Sequence, residues 1–168
     1  SATAGAGFSL GLYLPPGGGV ALAADESSSA APEVNAWVVI HEDDSVIIRI
    51  ARSEMGQGTL TGLAQLVTEE LECDWSKVST EYPTPGQSLA RDRIWGSFST
   101  GGSQGIRGSH LYVRKGGAVA REMLIEAAAE SWDVPKEECS VSASVITHKP
   151  TGRTTTYGKV AAAAAEMI

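Results

Sequence analysis

The period of hydrophobic and polar positions changes several times along the chain. Ala36-Trp37-Val38-Val39-Ile40-His41 and Ser45-Val46-Ile47-Ile48-Arg49-Ile50 are rich in β-branched residues, with Glu42-Asp43-Asp44 between them. This pattern predicts a hairpin. Both runs are nearly continuous in apolar residues, so the sheet is expected to be covered on both faces. From Thr59 the period becomes helical, with Leu60, Leu63, Ala64, Val67 and Leu71 on one face and Glu69, Glu70 and Glu72 elsewhere. Val78 to Tyr82 reads as a strand ended by Pro83 and Pro85. Residues 86–100 have no period and mix charged with aromatic groups, which predicts a long loop of the kind that often carries function. A second helix is expected from near Ser103 to Trp132. Its stripe would be Tyr112, Val119, Met123, Ala127 and Ala128, with Ile106 near its start. Pro135 ends it, because proline disfavours helix at the residue before it. Short strands are expected over 138–144 and 145–148, a turn at Pro150-Thr151-Gly152, and a last helix from Tyr157 to Ile168. The fold class that follows is α+β: a mixed sheet packed by two long helices.

Composition adds limits. The chain has 168 residues, 42% hydrophobic and 20% charged, an ordinary globular balance. A net charge of −7 and the absence of a basic stripe argue against nucleic-acid binding. Cys73 and Cys139 match no metal or redox spacing and are expected to be unpaired, largely buried thiols. His41, His110 and His148 have no ligand spacing either and are expected in surface or structural roles. Residues 1–24 are apolar, rich in small residues and uncharged, and end in Ala21-Leu22-Ala23. That stretch reads as the apolar part and cleavage site of an export signal whose basic start is missing. Residues 25–34 read as a linker and 35–168 as the folded part.

Two segments carry candidate chemistry. In the first, a strand runs into Ser53-Glu54-Met55-Gly56-Gln57-Gly58-Thr59 and a helix follows. Gly56 and Gly58 allow close approach or positive φ around Gln57. The Gln57 carboxamide can donate to an oxo or phosphate oxygen without adding charge. A plain strand-to-helix turn is the simpler alternative on this motif alone. The second segment is Thr100-Gly101-Gly102-Ser103-Gln104-Gly105-Ile106-Arg107 at the expected start of the long helix. Free amides and aligned peptide dipoles there favour an anion. Ser103 is a candidate cap or phosphate donor, and Arg107 a candidate for a charge-assisted bond to the same group. A plain glycine-rich helix start is again the simpler alternative. Trp95 stands out from the other tryptophans because it lies in the long loop.

These motifs and their order resemble a known family. Ser53 to Thr59, then Glu70-Leu71 with Asp74-Trp75 and Val78, then Thr100 to Ser103, then Trp132 with Val134-Pro135, are similar to the large subunit of molybdenum hydroxylases. Within the xanthine oxidase family, they resemble isoquinoline 1-oxidoreductase beta subunits and related membrane-associated aldehyde dehydrogenases. Phe8 to Pro16 resembles the end of a twin-arginine export signal, which implies a periplasmic location. The resemblance implies the N-terminal part of a molybdopterin-binding domain. Gln57, flanked by Gly56 and Gly58, would lie beside molybdenum. Gly101, Gly102, Ser103, Gln104 and Arg107 would contact a molybdopterin cytosine dinucleotide. The implied reaction hydroxylates an aldehyde or N-heterocycle with water as oxygen source. Implied partners are a small two-iron–two-sulfur (2Fe-2S) subunit and a membrane cytochrome c. The family's catalytic glutamate has no counterpart here, and the place of Glu54 in its motif is not that of the base. The loop Gln87 to Ser99 departs from the family pattern.

Overall fold

The computed structural model describes residues 31–167. The expected export signal and most of the expected linker lie outside the described residues. The first strand, β1 (Glu33–Asn35), starts inside the stretch read as linker, because its backbone pairs with β2 (Val38–Ile40). The Asn35 side-chain oxygen accepts the amides of Trp37 and Val38 and closes the turn between them. β2 pairs antiparallel with β3 (Val46–Arg49), which gives the expected hairpin. Then α1 (Thr59–Leu71) crosses over and β4 (Val78–Glu81) pairs parallel with β3. A parallel pair needs such a crossover. The sheet order is β1-β2-β3-β4, and the sheet is mixed, as expected.

One face of this sheet is core. Val38, Ile40, Val46 and Ile48 are all fully buried there. Among the described residues no second layer covers the other face, where a covered one was expected. It carries Val39, a half-buried Ile47, and Arg49 paired with Glu33 at 2.7 Å and Glu81 at 2.6 Å. Burial raises the Glu33 pKa, but Arg91 and Arg49 outweigh it and leave the carboxyl below its ordinary value.

The long stretch 103–132 is broken where sequence predicts one helix. After α2 (Pro85–Ala90), itself unexpected inside the long loop, α3 (Gln104–Arg107) makes one turn. The long helix, α4 (His110–Trp132), starts only after Gly108-Ser109. Its buried stripe is Val113, Gly116, Gly117, Ala120, Leu124, Ala127 and Ala128. Val119 lies outside that stripe and is 53% exposed. The stripe turned on small residues because α1 and α4 pack backbone to backbone. A Cβ on Gly117 would sit 2.6 Å from the carbonyl oxygen of Val67.

A second sheet follows, in which the two short strands expected over 138–144 and 145–148 are joined by a third that the sequence did not predict. It consists of β5 (Cys139–Ser142), β6 (Val145–His148) and β7 (Arg153–Thr156), all antiparallel. Polar Arg-Thr-Thr-Thr in β7 gave no hydrophobic signal. α5 (Tyr157–Ala165) returns to the first sheet, and the Tyr157 hydroxyl donates to the Leu71 carbonyl at 2.6 Å. Both cysteines are free and buried, as expected. His148 is buried between Glu138 and Thr151, each at 2.7 Å, in a structural role.

Candidate functional site

Both candidate segments leave the C-terminal ends of the parallel pair β3 and β4. The crossover through α1 makes those ends point the same way, so residues 51–58 and 82–109 meet at one edge of the sheet. Ala51 and Arg52 are still buried; Ser53 to Gly58 emerge to the surface.

The first turn is built around a carboxylate. Oε1 of Glu54 accepts the amides of Gly56 at 2.7 Å and Gly58 at 2.9 Å, and Oε2 accepts that of Leu60 at 3.0 Å. The bonds from Leu60 and Gly58 hold the carboxyl below its ordinary value of 4.5. An anion at the start of α1 is also favoured by the helix dipole. Gly56 has φ 94° and Gly58 has φ 78°, conformations that side chains disfavour. The Glu54 amide in turn donates to the Tyr82 hydroxyl at 3.0 Å, which ties the turn to the end of β4.

Gln57 is exposed but fully engaged. Its Nε2 reaches the Ser53 carbonyl at 2.8 Å, the Thr59 hydroxyl at 2.9 Å and the Thr100 hydroxyl at 3.2 Å, while Oε1 accepts the Met55 amide at 2.6 Å. The Thr100 contact joins the two segments, which are 43 residues apart in sequence. They also touch through Gly105, where a Cβ would lie 2.7 Å from Thr59 Oγ1 and 3.3 Å from Thr100 Oγ1.

The second segment differs from its expected form. Ser103 precedes the one-turn α3 rather than the long helix, has φ 58°, and makes no side-chain cap. The cumulative dipole of a long helix is therefore not available at Ser103. Gly101, Gly102, Ser103 and Gln104 are all exposed, and Gly102 has φ 65°. Arg107 is exposed and its Nη2 lies 3.5 Å from the Gly102 carbonyl oxygen, so its charge folds back over the same loop.

Trp95 anchors the long loop. It is 1% exposed, packs with Ala36 and Ala51, and donates from Nε1 to the Ala36 carbonyl at 3.0 Å. Its role is packing. Arg91 stacks over its ring at 5.5 Å and pairs with Glu33.

Sequence reasoning missed Arg52, Tyr82 and the capping role of Glu54, and gave Thr100 no task of its own. Glu54 had a signal, since acid at a helix start is a recognised pattern. Arg52 and Tyr82 had none, because their partners are remote in sequence.

The donor set fits an anionic, oxo-bearing pterin cofactor. No atom lies within 4 Å of where a Cβ would stand on Gly56, Gly58 or Gly102, so a ligand can approach the backbone. Gln57 and Thr100 supply neutral donors, Arg107 supplies positive charge, and the charge of Glu54 is taken up by amides.

Residues 4–167 match the model of the molybdopterin cofactor-binding domain. The chain belongs to that family. This molybdopterin cofactor-binding domain is 33% identical over 156 residues to an isoquinoline 1-oxidoreductase subunit beta of Brevundimonas diminuta. That alignment covers 86% of the chain and 19% of the relative. It is 30% identical over 160 residues to a protein of Gluconacetobacter polyoxogenes named membrane-bound aldehyde dehydrogenase [pyrroloquinoline-quinone], covering 94% of the chain and 20% of the relative. The chain thus spans about one-fifth of the length of these curated relatives. In fold, it is similar to quinoline 2-oxidoreductase from Pseudomonas putida 86, with a TM-score of 0.56 and 17% identity over 75% of this chain and 15% of that one. It is also similar to CO dehydrogenase from Oligotropha carboxidovorans, with a TM-score of 0.53 and 23% identity over the same shares. The family resemblance and the fold class read from the sequence are borne out.

Proposed function

We propose that this chain is the part of a molybdenum hydroxylase large subunit that presents Gln57 to the metal end of a molybdopterin cofactor. Gly56 and Gly58 leave the backbone open on either side of it. Gly101, Gly102, Ser103, Gln104 and Arg107 would hold the phosphate-bearing end, in the cytosine dinucleotide form. When bound, the cofactor supplies two-electron oxidation of the substrate with water as the oxygen source.

The observation that carries this reading is the contact between Gln57 and Thr100, which brings the two segments into one surface. Nε2 of Gln57 has two hydrogens and three protein acceptors within reach. One acceptor is always in competition, so a ligand oxygen can take its place at small cost. A neutral carboxamide polarises such an oxygen without placing a full charge beside it.

In the whole enzyme the substrate would be an aldehyde or N-heterocycle. Electrons would leave through a small 2Fe-2S subunit towards a membrane cytochrome c, in the periplasm after twin-arginine export. A purified complex that contains the iron–sulfur subunit supports this assembly, and one without it counts against it. The decisive experiment is Gln57→Ala in the complete enzyme. Turnover is expected to fall roughly a hundredfold, the scale seen when one preorganised donor is removed. Molybdenum content should stay near that of the parent. Unchanged turnover in the loaded variant sinks the role of Gln57. Parent enzyme that carries no molybdenum sinks the cofactor reading itself.

A further inference from the structure

Arg52 lies outside both glycine motifs, yet it holds them together. It is 8% exposed. Its Nε donates to the Ser109 hydroxyl oxygen at 2.8 Å and its Nη1 to the Ser99 carbonyl oxygen. The Ser109 hydroxyl is fully buried and also takes the Tyr112 phenol at 2.9 Å. Among the described residues, the ion pairs are made by other cations, and no carboxylate reaches Arg52.

A buried cation without a counter-charge is costly. A neutral side chain could fill the same space, so the guanidinium must contribute something that packing alone does not. Its planar fork fixes two acceptors at a set spacing, which a flexible ammonium cannot do. Those acceptors lead back to the first motif. Ser99 precedes Thr100, whose hydroxyl takes Gln57 Nε2 at 3.2 Å. Arg52 itself precedes Ser53, whose carbonyl takes the same Nε2 at 2.8 Å. Arg52, Ser53, Gln57, Thr100 and Ser99 therefore form a closed ring of covalent and hydrogen bonds, with the carboxamide nitrogen as one vertex.

We propose that Arg52 is a positioning residue: its buried fork sets the spacing between the Ser53–Gly58 turn and the Ser99–Ser109 segment, and so fixes the direction in which Gln57 presents its carboxamide. This rests on the cofactor reading above. The outcome that matters is the orientation of Gln57, not merely the stability of the loops.

The test uses the complete enzyme with Arg52→Lys, Arg52→Ala and Ser109→Ala. Arg52→Lys keeps the charge and loses the fork. It is expected to retain a cooperative melt, lose roughly tenfold in kcat, the lower end for groups that orient a site residue, and shift the molybdenum paramagnetic-resonance signal. Hydrogen exchange should rise together in residues 53–60 and 99–109, with or without cofactor. Added guanidinium ion should restore part of the kcat of Arg52→Ala, while sodium chloride at equal concentration should not. Should Arg52→Ala not fold, Arg52→Lys and Ser109→Ala decide the matter by the same kcat, resonance and exchange readouts. Parent-like kcat and resonance signal in Arg52→Lys overturn the proposal. So does exchange that rises in only one of the two segments. Parent enzyme with no molybdenum signal removes the cofactor reading and this inference with it.

Discussion

At the scale of single residues, the site depends on one acid used for structure. Glu54 stands three residues before Gln57, and its two oxygens are spent on the amides of Gly56, Gly58 and Leu60. A carboxylate that accepts several amide hydrogens binds its proton more weakly in the folded than in the unfolded chain. Its pKa is depressed below 4.5, so its stabilising effect is present above that value and is lost as pH falls through the folded pKa. Glu54→Gln keeps one acceptor oxygen and sets a donor against a donor at the other amide. Thermal melts are expected to show a lower midpoint for Glu54→Gln at neutral pH, with the gap closing in acid. A constant gap across that range would mean that the carboxylate charge is not what holds the turn.

At the scale of elements, the contact of α1 with α4 decides how α4 must be composed. Gly117 has a backbone oxygen, that of Val67, where a Cβ would go, at 2.6 Å. Alanine there would gain about 1 kcal/mol in helix propensity. Forcing two packed helices apart costs roughly 1–3 kcal/mol. The second effect wins, so Gly117→Ala is expected to lower the denaturation midpoint rather than raise it, measured by chemical unfolding of the complete protein. The broken helix has a related cause. Gly108 and Ser109 let the chain turn between α3 and α4, and Ser109 is then buried against Arg52. A residue-by-residue reading of 103–132 sees only a continuous helical stretch, because the partner that makes the break worthwhile lies 57 residues earlier.

At the scale of the whole molecule, one hydrophobic cluster runs from β1 to α5 and takes in both cysteines. Burial pushes the Cys73 thiol up to about 11 and also raises that of Cys139. Thiolate is the reactive form, so neither should react with a thiol reagent in the folded protein at neutral pH, and both should react after denaturation. Mass spectrometry of the native, labelled protein checks this; rapid labelling of Cys73 would show that the core opens. Closure of that core fixes the sheet edge where β3 and β4 end. The site has its position because the crossover between them is one helix long.

The sequence by itself determined the elements with strong periodicity: the hairpin 36–50, α1, the strand 78–81 and the stop at Pro135. It also placed Gly56, Gln57 and Gly58 at a strand-to-helix turn, since local conformational demands are written in local residues. Tertiary structure alone decided the third strand of the second sheet, the break before α4 and the small-residue stripe of that helix. It alone brought Thr100 to Gln57 and Arg52 to Ser99 and Ser109. The reason is one of range. Periodicity reports which face of an element is buried, whereas a buried guanidinium or a glycine under a neighbouring carbonyl takes its meaning from a partner far away in sequence.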